Sequence, residues 1–257
     1  MASLSNLMAS LSNVLTSKAA TIPDGNVAAT MASDVAEQLD TLNTAATIPQ
    51  GQLTVVEEVD VSAWEGRGKF ACIVHGLFTP QECEELVVRS EAEGYGKALI
   101  NVGGGQQVIM EDYRKSSRCI IDDPTFAEEL WQRVKAAVEA DGRFTAALLR
   151  RSTRKGTQSL AVGLNERLRF LRYDKGDYFS PHMDGTFVRQ NEAGAARRGE
   201  HSLVTCQLYL NDGFEGGATR FLDLGDESTG VDVAPRAGSV LLFEHRLGHE
   251  GSLLVHG

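Results

Sequence analysis

From residue 157 onward, short apolar runs of strand length follow one another. They are "LRFLRY" (168–173), "DYFSPHMD" (177–184), "SLVTCQLYL" (202–210), "GATRFLD" (217–223) and "SVLLFE" (239–244). Gly, Asp and Asn separate them, the usual punctuation of a sheet built from short strands. Several such strands in series predict a sandwich or jelly roll. The connection 185–201, "GTFVRQNEAGAARRGEH", is long and polar and reads as a loop able to cover a neighbouring site.

Upstream the period changes. "KFACIVHGL" (69–77) reads as a buried strand. Thr79-Pro80-Gln81-Glu82 then opens a helix, with Thr79 as N-cap, Pro80 at the first position and Glu82 closing a capping box. This helix runs to about Gly94. "GGG" at 103–105 breaks the chain, and "SSRCIID" (116–122) reads as another strand. Asp123-Pro124 starts a second helix, with Phe126, Leu130, Val134 and Val138 four apart on one face, ending near Gly142. The expected class is α+β: a jelly-roll (double-stranded β-helix) core over 157–257, with supporting N-terminal helices over 56–156.

Residues 1–55 differ from both. "MASLSNL" is followed at once by "MASLSNV", and "AATIP" occurs at 19–23 and 45–49. The segment is rich in Ala, Ser and Thr and has no aromatic residue. Leu4, Leu7, Leu11 and Val14 are spaced for one helix face. The expectation is a low-complexity tail, either disordered or weakly helical, or else a targeting peptide that lacks the usual arginines.

Composition narrows the function. The chain has 257 residues and a net charge of −10, which argues against nucleic acid, since phosphate contacts need a basic surface. Basic residues cluster only at 148–156 and near Arg197 and Arg198, where they read as solvated faces. Cys72, Cys83, Cys119 and Cys206 show neither CxxC nor zinc-finger spacing. Reduced core thiols and a cytoplasmic setting are the default, with an organelle address the alternative. No stretch has the apolar length of a membrane span.

The chemistry centres on His182 and Asp184 in "YFSPHMDG" (178–185). In a strand, residues two apart face one way, with Cα atoms about 6.5 Å apart. An imidazole and a carboxylate aimed at one point make two metal ligands. A jelly roll returns late strands beside early ones, so the third ligand is expected far along the chain. "LLFEHRLGHEG" offers His245, which reads as an exposed strand end, and His249, which we prefer. Two histidines and one carboxylate form the facial triad of non-haem Fe(II) oxygenases, with coordination positions left open.

These motifs in this order resemble the 2-oxoglutarate- and Fe(II)-dependent dioxygenases, specifically the prolyl 4-hydroxylase-like branch. The resemblance lies in "LRFLRYDKGDYFSPHMDG", "TCQLYLND", "EGGATRF" and "AGSVLLFEHRLGHEG", with "LFTPQECEEL" and "YRKSSRCII" upstream, and it covers about residues 68–257. It implies that His182, Asp184 and His249 hold Fe(II). It also implies that Tyr173 and Tyr209 contact 2-oxoglutarate. By alternation, Tyr173 shares a face with Arg169 and Leu171, and Tyr209 shares one with Thr205 and Gln207. The implied activity is C–H hydroxylation of a peptidyl-prolyl or small-molecule substrate by O₂, with release of succinate and CO₂ and with ascorbate as accessory reductant.

One departure from the resemblance stands out. The family anchors the far carboxylate of 2-oxoglutarate with a Lys or Arg nine or ten residues past the distal histidine, and this sequence stops at Gly257, short of that place. A truncated sequence is one reading. A non-catalytic ligand-binding jelly roll is the other. Arg169 and Arg220 are the candidate replacements for the anchor. A zinc hydrolase using Glu250 as base is a third and weaker reading.

Overall fold

The computed structural model describes residues 8–20, 54–62, 69–103, 106–152, 158–189 and 199–256. In chain order it begins with strands β1 (Met8–Ala20), β2 (Val55–Glu58) and β3 (Ala71–His75), then helix α1 (Pro80–Glu93). Next come β4 (Gly96–Lys97), β5 (Ile100–Gly103), β6 (Gln106–Val108), β7 (Arg114–Lys115) and β8 (Ser117–Asp122). Helices α2 (Pro124–Asp141) and α3 (Thr145–Leu149) precede β9 (Arg150–Ser152), β10 (Gln158–Leu164), β11 (Arg167–Tyr173) and β12 (Tyr178–His182). The rest is β13 (His201–Tyr209), β14 (Glu215–Gly216), β15 (Thr219–Asp223), β16 (Asp226–Val233), β17 (Val240–Glu244), β18 (His249–Gly251) and β19 (Leu254–His256).

Two antiparallel sheets dominate. The larger runs β2-β3-β17-β13-β1-β11-β8-β4, with β10 and β9 attached beside β1; the smaller runs β16-β15-β18-β12-β7. From β11 the chain passes back and forth between them: β11 large, β12 small, β13 large, the β15–β16 hairpin small, β17 large, β18 small. That alternation is the jelly roll expected from the sequence. Period-two patterning sets the layers. Cys206 and Leu208 point to the helix-covered face, in one cluster with Leu86, Leu130, Val134 and Val138. Tyr209 points the other way and packs with Phe221, Leu241 and Phe243.

The helix boundaries follow their caps. Thr79 Oγ1 accepts from the Glu82 N–H at 3.2 Å, and the Glu82 carboxylate accepts from the Thr79 N–H at 2.7 Å. Asp123 accepts from the Phe126 N–H at 2.9 Å, and α2 ends at Gly142 in the left-handed region. Arg133 of α2 ties the two helices, donating to Glu82 at 2.7 Å and to the Leu77 carbonyl at 3.2 Å. Its guanidinium lies over the Phe78 ring at 4.2 Å.

Two expectations need correction. The first is the tail. Met8–Ala20 forms a central strand of the large sheet, antiparallel to both β11 and β13. Leu11 stands between Phe170 and Leu208, and all three are fully buried. Leu11 and Val14 fit a helix face by spacing, yet Ala9, Leu11 and Leu15 equally fit alternate positions of a strand, and all three lie in the main core. Sheet pairing on both edges decides between the two periods. Residues 1–7 and 21–53, with Leu4 and Leu7, lie outside the described residues.

The second correction concerns 56–156. This region does supply the helices, but β2, β3, β4 and β8 also extend the large sheet. Residues 190–198 of the connecting loop and residues 153–157 of the basic stretch lie outside the described residues. Among the described residues no helix is long and apolar enough to cross a membrane.

Candidate metal centre

β12 and β18 pair so that His182 stands directly opposite His249. β12 ends at His182, so Asp184 is not on the strand as the sequence suggested. It sits in the extended segment just beyond, where its N–H donates to the His245 carbonyl at 2.9 Å. The period-two direction survives the end of the strand, and the ligand atoms of His182, Asp184 and His249 lie within 4.8 Å of one another. The His182 Nε2–Asp184 Oδ1 distance is 3.9 Å, and the His249 Nε2–Asp184 Oδ2 distance is 3.8 Å. His245 is outside this group. It is buried rather than exposed, and its backbone holds Asp184 and Leu203 in place.

Both imidazoles are oriented by the same device. His182 Nδ1 lies 2.8 Å from the Ser180 carbonyl, and His249 Nδ1 lies 2.9 Å from the Leu247 carbonyl. A carbonyl only accepts, so each Nδ1 carries the proton and each Nε2 keeps its lone pair. Both lone pairs then face the Asp184 carboxylate. Thr205 Oγ1 donates to Asp184 Oδ2 and fixes that carboxylate. Outer-shell bonds of this kind hold metal ligands ready.

Electrostatics agree. Burial, then the neighbouring His249, pushes His182 down to about 3, so its ring is neutral at physiological pH. Burial alone pushes Asp184 up; His249, His182 and the Thr205 hydroxyl outweigh it and leave the carboxyl below its ordinary value. Two imidazole nitrogens and one carboxylate are the donor set a divalent cation takes. An aromatic shell surrounds it: Phe179 stacks on His182 at 3.7 Å, and Phe243 meets His249 edge-on at 4.7 Å.

The centre opens into a cavity of about 610 Å³ between the sheets. Arg169, Tyr173, Thr205 and Gln207 line it from the large sheet, and Phe179, His182 and His249 from the small one. The β5–β6 hairpin contributes Ile100, Asn101 and Gln107. Ser10 of β1 stands between Tyr209 and Leu171, fully buried behind the cavity wall. The donor set and the open cavity both fit a bound metal with a polar chelator.

The sequence-derived candidates divide. Arg169 and Tyr173 reach the cavity wall. Thr205 does too, but its hydroxyl is committed to Asp184. Tyr209 is fully buried behind the wall, and its hydroxyl donates to Thr219 Oγ1 at 2.8 Å. It therefore braces the wall residue Thr219 and is not itself on the cavity wall. Arg220 pairs with Asp232 at 3.1 Å and is not on the wall. Glu250 accepts from Ser252 at 3.1 Å. Residues missed from sequence are Arg114 and Arg118, which line the cavity from β7 and β8. Their signal was a long cation inside the strand pattern of "YRKSSRCII", a feature normally read as surface.

A glycine pair shapes the rim. Gly216 has φ 83°, and a Cβ there would sit 2.1 Å from the Leu253 carbonyl oxygen, so "EGG" lets β14 close on β19.

Residues 168–257 match the model of the 2OG-Fe(II) oxygenase superfamily. Prolyl 4-hydroxylase 1 of Arabidopsis thaliana is 24% identical over 192 residues, covering 72% of this chain and 59% of that protein. Probable prolyl 4-hydroxylase 8 of the same plant is 25% identical over 201 residues, covering 72% and 60%. The chain thus spans about three fifths of the length of these relatives. A crystal structure of a Pseudomonas putida prolyl-4-hydroxylase aligns over 73% of this chain and 86% of that one, at 20% identity and a TM-score of 0.40.

Proposed function

We propose that this chain, whose residues 168–257 match the model of the 2OG-Fe(II) oxygenase superfamily, is an Fe(II)- and 2-oxoglutarate-dependent hydroxylase of prolyl 4-hydroxylase type. The observation that carries the reading is the convergence of two Nδ1-tethered histidines and Asp184 at the floor of an open cavity.

His182 and His249 would hold Fe(II) through Nε2, and Asp184 through a carboxylate oxygen that Thr205 keeps in place. Three protein ligands leave coordination positions free, unlike a closed structural zinc site. Bound Fe(II) and 2-oxoglutarate supply the oxidation: one atom of O₂ enters succinate as CO₂ leaves, and the other enters a substrate C–H as hydroxyl. The protein's own part is placement and shielding. Phe179 and Phe243 exclude water from the histidines, and Tyr173 and Arg169 present polar groups to the co-substrate from β11. The substrate is a prolyl residue in a peptide or a small molecule, entering past the β5–β6 hairpin.

The test is a turnover assay with Fe(II), 2-oxoglutarate, ascorbate and proline-containing peptides, read by succinate and by a 16 Da gain on the peptide. Both products should form in step and vanish in His249→Ala. Undiminished turnover in that variant would refute the assignment.

A further inference from the structure

Among the side chains that line the cavity, three are guanidiniums, Arg114, Arg118 and Arg169, and two are carboxylates, Asp184 and Glu250. Asp184 belongs to the metal centre, and Glu250 accepts from Ser252 at 3.1 Å. The cavity is thus cationic inside a chain of net charge −10. Elsewhere the chain neutralises its guanidiniums: Arg89, Arg133, Arg143, Arg167, Arg189 and Arg220 each pair with Asp or Glu. Like charges grouped in a half-buried pocket cost stability unless something anionic enters.

The three arginines differ in what holds them. Arg114 donates to Ser116 at 3.0 Å and lies over the Phe179 ring at 4.4 Å. Arg169 donates to the Arg167 carbonyl at 3.3 Å and feels the Asp184 charge. Arg118 has neither a side-chain hydrogen bond nor an ion pair among the described residues. In the β8–β11 pairing Arg118 stands opposite Leu171, and Arg169 stands opposite Ile120. The two are diagonal neighbours on one face, roughly 7–8 Å apart. Burial, then Arg114, then Arg169, holds Arg118 below its ordinary value, and no carboxylate acts the other way.

Position separates Arg118 from the co-substrate. In the large sheet β8 lies three strand spacings, about 14 Å, from β13, whose Thr205 fixes Asp184. β11, with Arg169 and Tyr173, stands between them. On its other side β8 pairs with β4, and the chain runs from β4 into the β5–β6 hairpin at the cavity mouth. An anion that meets Arg118 therefore reaches in from the mouth, whereas a small acid chelating the metal meets Arg169 and Tyr173 first.

We propose that Arg118 is a specificity-determining residue that selects a substrate bearing a carboxylate, its fork receiving an acidic group of the substrate near the C–H that is hydroxylated. The proposal deepens the hydroxylase reading above and rests on it for the substrate's place in the cavity. A guanidinium presents two parallel N–H donors that match a carboxylate, and the field of Arg114 and Arg169 adds to the attraction. The same chemistry is carried by an Asp or Glu side chain of a peptide and by the free carboxylate of a small acid.

The experiment measures binding apart from turnover. The full chain with Fe(II) and 2-oxoglutarate, kept free of oxygen, is titrated calorimetrically with acetylated and amidated peptides holding one proline, in which Glu or Gln stands one or two places to either side. N-acetylproline and its amide form the small-molecule arm. In one arm the acid should bind at least about tenfold more tightly than its neutral twin, and that arm identifies the source of the carboxylate. Arg118→Gln should weaken the acid about 10- to 100-fold, and the neutral twin and 2-oxoglutarate by less than about twofold. Arg118→Lys keeps the charge and should recover part of the loss, which a misfolded variant would not. Admitting oxygen then reads hydroxylation of the same compounds by mass.

No binding in either arm, or equal binding of every acid and its neutral twin, would overturn the proposal. So would equal losses for both twins in Arg118→Gln, which would mark a structural role, or a loss confined to 2-oxoglutarate, which would place Arg118 at the co-substrate. If the acid preference and its loss in Arg118→Gln appear but nothing is hydroxylated, the carboxylate site is supported and the hydroxylase reading is what fails. Hydroxylation with no charge preference has the reverse meaning.

Discussion

The replacement of Leu11 by Ala tests whether the N-terminal segment belongs to the fold. Leu11 is fully buried, stands between Phe170 and Leu208 on the two neighbouring strands, and faces the core that the helices cover. Truncating such a leucine removes its transfer energy and leaves a cavity, at a cost of about 2.7–5 kcal/mol. For a domain near 200 residues, each kcal/mol lowers Tm by roughly 2–4 °C. The expected loss is therefore about 5–20 °C in a thermal melt followed by far-UV circular dichroism. Because "MASLSN" occurs twice, the matching change at Leu4 identifies the copy that is paired. A loss at Leu11 and none at Leu4 assigns the central strand to Met8–Ala20. A Tm within about 1 °C of the parent for Leu11→Ala would refute the strand and restore the dispensable tail.

Other predictions follow from the site and its supports. Thr205→Val keeps the shape but removes the donor to Asp184; metal affinity should fall about 10- to 100-fold by calorimetry, with Tm of the metal-free protein little changed. Glu82 feels burial that raises its pKa, but the Arg133 and Thr79 bonds outweigh it and hold the folded carboxyl below its ordinary value. Its contribution is present above the unfolded pKa near 4.5 and is lost as pH falls through the folded one. Glu82→Gln should therefore cost roughly 1–2 kcal/mol at pH 7 in urea melts. The gap from the parent should shrink below about pH 4. All four thiols are buried, and desolvation pushes Cys72 and Cys83 up to about 12. The native protein should resist a thiol-titrating disulfide reagent at pH 8 and show four reactive thiols in denaturant.

Much of this was legible in the sequence, for reasons that differ from element to element. The caps at Thr79 and Asp123 are local chemistry and appear where the residues put them. Strands β11 and β13 alternate strongly enough to fix their faces, which is why Thr205, Gln207 and Tyr209 share one side. His249 was separable from His245 because a jelly roll brings a late strand back against the metal strand, and β18 does so. Other features lay beyond local reading. Residues 8–20 carry small, weakly patterned side chains, and only pairing with β11 and β13 makes them a strand. Tyr209 shares the cavity-side face, but Thr219 of β15 stands over its hydroxyl, a tertiary fact that alternation does not reveal. Arg118 and Arg169 each look like ordinary strand-surface cations; the β8–β11 register makes them a pair.

The central claim is that His182, Asp184 and His249 hold Fe(II) in a form that 2-oxoglutarate can chelate. Anaerobic titration of the purified chain with Fe(II) and 2-oxoglutarate, watched for the visible charge-transfer band of the chelate, tests it most directly. The account predicts a saturable band that is lost in His182→Ala while the variant stays folded. A folded parent protein that shows no band, or a His182→Ala variant that keeps it, would contradict the account.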